Sequence, residues 1–177
     1  MPSARLCARF VGSGVSHPHQ ANLEALIEAL LAAGIEFIVV GGAAAVLHGA
    51  LAATQDLDIV PRRTADNIDR LHSLLERLDA WVRQPGSRRL RPTADDLAAG
   101  GRLNLSTELG PLDPLGRLHD GRGFDELLPH SEVMEDGTLR IRVIDLPTLI
   151  EIKTAAGRPK DKLVLPLLLA RLRDRRE

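Results

Sequence analysis

The stretch Thr54-Gln55-Asp56-Leu57-Asp58-Ile59-Val60, closed by Pro61, constrains this chain more than any other part of it. It predicts a strand over 56–60. Side chains alternate along a strand, so Leu57 and Ile59 face an apolar layer while Asp56 and Asp58 share the opposite face, about 6.5–7 Å apart. Two carboxylates so placed repel each other unless something neutralises them. A divalent cation removes the conflict, and magnesium, which prefers carboxylates, waters and phosphates, suits the pair. Taken alone, the spacing is better explained as the solvent-facing edge of an amphipathic strand or as two helix-capping acids, because motifs this short recur by chance.

The surroundings shift that balance. Ile35–Val40 is a short apolar run that predicts a buried strand, and Gly41-Gly42 predicts a tight turn before a short alanine-rich helix over 43–50. A strand ending in two glycines lets backbone approach a phosphate closely, and a helix N-terminus presents N–H groups to an anion. Read alone, the glycines are better explained as a plain tight turn. The spacing fits neither the dinucleotide fingerprint nor a P-loop.

Elsewhere the chain alternates helical and extended patterns. Leu23, Leu26, Ile27, Leu30 and Leu31 recur at helical spacing, with Gly34 as the stop. Thr64 is placed to cap a helix carrying Ile68, Leu71, Leu75 and Leu78, and Thr93 to cap a short one through Leu97, ended by Gly100-Gly101. Two strands, 103–107 and 111–115, are expected around a turn at Gly110, and a hairpin over 132–143 around Asp136-Gly137. Pro147 suits the first turn of a helix running to Gly157, and Pro159 and Pro166 each open a further helical piece. This is an α+β chain: a mixed β-sheet flanked by helices, with a helical C-terminal segment. Residues 1–18 read as an arm, and 19–177 as a single domain with its core over 35–115 and a C-terminal hairpin and helices over 130–177.

Composition narrows the functions on offer. The single cysteine, Cys7, excludes an internal disulfide framework and a cysteine-rich zinc site, and suits a reducing cytoplasm. The longest apolar run, Leu163–Ala170, is short and broken by Pro166, so neither a membrane partner nor a secretory signal is expected. The net charge of −1 and only four aromatic side chains (Phe10, Phe37, Phe124 and Trp81) supply the stacking mode of single-stranded nucleic-acid binding poorly. Of the 23 basic residues only Lys153, Lys160 and Lys162 are lysines, and all three fall in one segment.

Together, Phe37-Ile-Val-Val-Gly-Gly-Ala-Ala-Ala-Val and Thr54-Gln-Asp-Leu-Asp-Ile resemble the signature of the polymerase-β-like nucleotidyltransferase superfamily. That signature is an apolar strand, a glycine pair, a short helix, then Asp-apolar-Asp-apolar. Leu105-Ser-Thr-Glu-Leu-Gly-Pro-Leu-Asp113 is similar to the strand that carries the third acid in small bacterial members. Leu149-Ile-Glu-Ile-Lys153 followed by Gly157-Arg-Pro-Lys160-Asp161 resembles a segment of the same enzymes, including the toxin–antitoxin type. The resemblance implies metal-dependent transfer of a nucleoside monophosphate from a nucleoside triphosphate to a hydroxyl. Asp56, Asp58 and Asp113 would hold Mg2+, or Mn2+ in its place, with Asp113 able to take the acceptor proton. Gly41, Gly42, Thr54, Lys153, Arg158 and Lys160 would meet the nucleotide, with Asp161 holding one of these cations in place. Asn104 is a rival for the third position, and an asparagine there would mean a degenerate site. Pro114, which removes a ladder donor, implies an edge strand.

The acceptor stays open among an RNA end, a protein hydroxyl and a small molecule, and a cognate toxin or antitoxin is an implied partner. A catalytically silent nucleotide-binding or toxin-neutralising module is the alternative. Arg83, Arg88, Arg89 and Arg91 form an acid-free basic run that reads equally as an RNA-backbone contact and as a solvated loop. His48 reads as a packed or helix-surface histidine, and Arg171–Arg176 as a frayed helix end.

Overall fold

The computed structural model describes residues 17–85, 89–137 and 139–175. Most of the 1–18 arm, with Cys7 and Phe10, lies outside the described residues, as do Arg88 and Arg176.

Chain order is helix α1 (Leu23–Ala32), strand β1 (Phe37–Val39), α2 (Gly41–Leu47), β2 (Leu57–Pro61), α3 (Ala65–Arg77), β3 (Trp81–Val82) and α4 (Ala94–Ala99). It continues with β4 (Leu105–Thr107), β5 (Gly110–Pro114), α5 (Phe124–Leu127), a 3-10 turn (Leu128–His130), β6 (Ser131–Asp136), β7 (Leu139–Ile144), α6 (Leu146–Ala156) and α7 (Pro159–Asp174). The strands form one seven-stranded mixed sheet in the order β3-β4-β5-β2-β1-β7-β6. β1 runs antiparallel to β2 and parallel to β7, while β2 runs parallel to β5.

Local chemistry sets several boundaries as expected. Thr93 accepts from the Asp96 N–H at 3.1 Å while Asp96 accepts from the Thr93 N–H at 2.9 Å, a reciprocal cap on α4, which ends at left-handed Gly100. Asp145 caps α6 by accepting from the Thr148 N–H at 2.8 Å, and left-handed Gly157 ends that helix. Thr64 stands at the cap position of α3 but its hydroxyl makes no capping bond.

Other expectations are corrected. Gly41-Gly42 is no separate turn, because α2 starts at Gly41 itself. The β4–β5 turn lies at Glu108-Leu109, and Gly110 is already in β5. β5 sits between β4 and β2, so Pro114 does not mark an edge strand. It is tolerated at the last strand position, where its carbonyl still accepts from the Leu103 N–H at 3.0 Å. Pro166 opens no new helix: α7 runs through it, forgoing one helical hydrogen bond. The described end of α7 is pinned rather than frayed, with Arg171 Nε donating to the Gly49 carbonyl at 3.2 Å and Arg175 paired to Glu132 at 3.0 Å.

One face of the sheet carries fully buried Leu57, Ile59, Leu112 and Leu105, the residues that alternate with the acids. Burying side chains of this kind contributes about 1.5–3 kcal/mol each. α1 and α3 add Leu26, Leu30, Leu71 and Leu75 to the same apolar cluster. Asn67, also fully buried, is satisfied by the Glu36 N–H and by the Glu36 and Arg62 carbonyls. The opposite face of β2 and β5 carries the carboxylates. Among the described residues no helix is long and apolar enough to cross a membrane.

Candidate active site

Because β2 and β5 run parallel and in register, Asp58 lies directly beside Asp113. Residues paired across a ladder point to the same face, so this register alone brings two acids together. Asp56, just ahead of β2, projects to that face as well. One carboxylate oxygen from each of Asp56, Asp58 and Asp113 can be chosen so that all lie within 4.8 Å of one another. Three hard oxygen donors this close suit a hard divalent cation. Asp113 is fully buried and Asp58 nearly so. Desolvation, and then the Asp56 charge, push the Asp58 carboxyl up to about 6, against the pull of Arg102.

The register also places the rival position beside Asp113. Pairs Leu105↔Leu112 and Thr107↔Gly110, continued by the Arg102↔Leu115 bridge, set Asn104 across the ladder from Asp113 and on the same face. Asn104 Oδ1 accepts from Arg102 Nε at 2.8 Å.

Gly41 abuts the acids more closely than a turn requires. Its φ is +66°, and a Cβ there would stand 2.1 Å from Asp58 Oδ2. A Cβ on Gly42 would stand 2.6 Å from Thr54 Oγ1. The two glycines therefore make room for Asp58 and Thr54 before any ligand is considered. The Thr54 hydroxyl donates to the Asp56 carbonyl at 3.0 Å, which braces the loop that carries Asp56.

Two adjoining cavities of about 290 and 300 Å³ share Gly41, Asp58, Lys153 and Arg158. One continues past Gly42, Thr54, Asp56 and Lys160; the other is walled by Leu115, Leu118, Ile144 and Ile152, with Arg102 and Arg117 at its edge. All six positions expected to meet a nucleotide thus line this bipartite cleft. Lys153 is buried and donates to Asp161 Oδ1 at 3.0 Å, and Arg158 Nε donates to Asp161 Oδ2 at 2.6 Å. Burial alone would raise the Asp161 carboxyl, but the bonds from Arg158 and Lys153 outweigh it and hold it below the usual carboxylate range. Asp161 positions two cations, where one was expected.

Sequence reasoning missed the arginines. Arg83 donates to Asp113 Oδ1, and Arg102 Nη2 donates to Asp113 Oδ2 at 2.9 Å and to Asp58 Oδ1 at 3.3 Å. Arg91 pairs with Asp79, and the Arg89 guanidinium lies 5.2 Å from the centre of the Trp81 ring. The run over 83–91 is therefore no free basic patch among its described members. His48 is packed as expected, with Nε2 2.7 Å from the Ile144 carbonyl.

No protein-family model matches the chain, and no curated protein matches it. Solved structures do. A Thermotoga maritima protein described as a nucleotidyltransferase (TM1012) superimposes with a TM-score of 0.50 at 17% identity, over 86% of this chain and 96% of its own. The lincosamide antibiotic adenylyltransferase LnuA, in its lincomycin-bound form, superimposes with a TM-score of 0.56 at 14% identity, over 82% of this chain and 93% of its own. At these identities the likeness establishes architecture: the chain has the nucleotidyltransferase fold.

Proposed function

We propose that this protein is a metal-dependent nucleotidyltransferase that moves a nucleoside monophosphate from a nucleoside triphosphate to a hydroxyl group. The observation that carries the reading is the meeting of Asp56, Asp58 and Asp113 beside Gly41, on a fold shared with proteins described as nucleotidyltransferases. The three acids would hold Mg2+ or Mn2+, whose donor preference they match. Bound there, divalent ions supply charge for a leaving pyrophosphate and lower the pKa of an acceptor hydroxyl.

The chain's own residues supply position. Gly41 and Gly42 keep side chains out of the corner where a triphosphate would lie. Lys160 and Arg158 face the same cavity as point charges for its oxygens. Lys153, fixed on Asp161, sets the floor between the two cavities. Asp58 and Lys153 are themselves buried, which strengthens their interactions with charge in the cleft.

The acceptor we favour is a small hydroxyl-bearing molecule. The second cavity is of small-molecule size with apolar walls, and Arg83, Arg89 and Arg91, which were candidates for an RNA backbone, are engaged elsewhere. LnuA, by its description an antibiotic adenylyltransferase, supports the same choice. A silent module is favoured by one feature, the double arginine cover on Asp113.

Incubation with each of four α-labelled triphosphates, Mg2+ and three acceptor pools (small hydroxyl compounds, total RNA, protein) tests all of this. Label on a small molecule, lost with EDTA, is the expected result. Label on RNA or protein overturns the acceptor choice alone. No transfer, together with no metal-dependent stabilisation by any triphosphate, overturns the enzyme reading in favour of the silent module.

A further inference from the structure

Arg102 occupies an unusual position. Its side chain is 43% exposed at the cleft edge, yet Nη2 reaches down to two carboxylates whose side chains are 11% and 1% exposed, Asp58 and Asp113. Nothing in its local sequence demands this. The reach follows from register: Arg102 bridges Leu115, two residues beyond Asp113 on the same face of β5. Nε is then held by Asn104 at 2.8 Å, so the guanidinium is aimed and not merely near. A planar guanidinium with five donors can bind a carboxylate pair or a phosphate, but not both with the same edge.

Arg102 thus places a cation between two of the acids that the proposed reaction needs for divalent ions. Asp113 has Arg102 on Oδ2 and Arg83 on Oδ1, and accepts from the Leu105 N–H at 3.3 Å as well. A divalent ion entering alone must displace Arg102 from Asp58 and Asp113. A divalent ion entering with a triphosphate brings the anion that can take Arg102 up.

We propose that Arg102, aimed by Asn104, is a positioning residue that stands in for the divalent ions on Asp58 and Asp113, and turns to the nucleotide's phosphates when metal and triphosphate bind together. The free protein then holds metal weakly, and metal and nucleotide bind cooperatively. This rests on the nucleotidyltransferase reading of the same site.

The test is Mn2+ binding followed by electron paramagnetic resonance on the full chain, with Mn2+ alone and with Mn2+ plus α,β-methylene-ATP, alongside thermal unfolding in EDTA. Wild type is expected to bind Mn2+ weakly alone and more tightly with the analogue. Arg102→Ala should bind Mn2+ alone at least about fivefold more tightly than wild type and lose most of the gain from the analogue, while unfolding earlier in EDTA. Asn104→Ala, a milder change, should move Mn2+ affinity in the same direction by less, and Arg102→Lys, which keeps the charge but loses the Nε bond to Asn104, should fall between wild type and Arg102→Ala. A merely structural arginine predicts the opposite sign, because a loosened site binds metal less well. Unchanged or weaker Mn2+ binding by both Arg102→Ala and Asn104→Ala overturns the inference and leaves the enzyme reading standing. Absence of Mn2+ binding by every form, even with the analogue, overturns both.

Discussion

Gly41→Ala tests the glycine corner without touching a charge. The residue has φ +66°, in the left-handed region that costs a non-glycine residue about 1–2 kcal/mol. The new methyl would stand 2.1 Å from Asp58 Oδ2, 2.9 Å from Cγ and 3.0 Å from Cβ, all inside contact distance. Asp58 must swing away, off its rotamer at about 0.5–1.5 kcal/mol, and it leaves Arg102 as it goes. Together these amount to about 2–3 kcal/mol, or a fall in melting temperature of about 4–12 °C for a chain of this length. Gly101→Ala is the control, since a Cβ there meets nothing within 4 Å and its φ lies outside the left-handed range; it should stay within about 0.5 kcal/mol of wild type. Asp58→Ala removes the two closest clashes, so adding Gly41→Ala to it should cost less than adding it to wild type. Circular dichroism melts of wild type, the three single variants and the double variant, with and without Mn2+, read these effects. A Gly41→Ala protein that melts with Gly101→Ala and keeps its response to Mn2+ would show that the corner is not closed on Asp58.

Three further expectations follow from the same geometry. Asp113→Asn should reduce label transfer by at least about a hundredfold, the upper end for losing even an outer partner of a metal ligand, and a small effect in a transfer assay would remove Asp113 from the site. Asp161→Asn strands Lys153 in a buried setting, so denaturant melts near neutral pH should show a loss of about 3–5 kcal/mol, and equal stability would mean that Lys153 finds another partner. Since the Asp161 carboxyl is held below 3.8, its contribution is present above that pH and fades as pH falls through the folded value, so the gap between wild type and Asp161→Asn should narrow in acid. Burial depresses His48 below 6.5, against smaller raising effects from the Ile144 carbonyl and Glu132, so the fold binds fewer protons there than the unfolded chain does. Stability from His48 is therefore full above pH 6.5 and declines as pH falls below it, and His48→Gln should flatten melting temperature against pH in that window.

Where sequence reading succeeded, period and chemistry agreed. Leu57 and Ile59 alternate with Asp56 and Asp58, so one strand fixed both the buried face and the acidic one. Thr93 and Pro147 marked helix starts, and the structure adds the bonds that cap them, between Thr93 and Asp96 and from the Thr148 N–H to Asp145. What failed was register. Reading the β4–β5 turn at Gly110 instead of Glu108-Leu109 hides the row that joins Arg102, Asn104 and Asp113, because a shift of one residue moves every side chain to the other face. Arg83 was illegible for a related reason: it meets Asp113 only because β3 lies beside β4, with its N–H on the Asn104 carbonyl at 2.8 Å, an adjacency that no local pattern records. Gly41 was noticed as a place for a ligand to approach, whereas its nearest neighbour is Asp58, a contact across 17 positions of sequence.

The proposed chemistry requires that Asp56, Asp58 and Asp113 together hold divalent ions when a triphosphate is in the cleft. Counting Mn2+ bound per chain in the presence of α,β-methylene-ATP, in wild type and in Asp56→Asn, Asp58→Asn and Asp113→Asn, asks this directly. The expected result is saturable binding by wild type that each substitution weakens by at least about tenfold, the low end for disturbing even the outer support of a metal site. Equal binding by wild type and all three variants would contradict it.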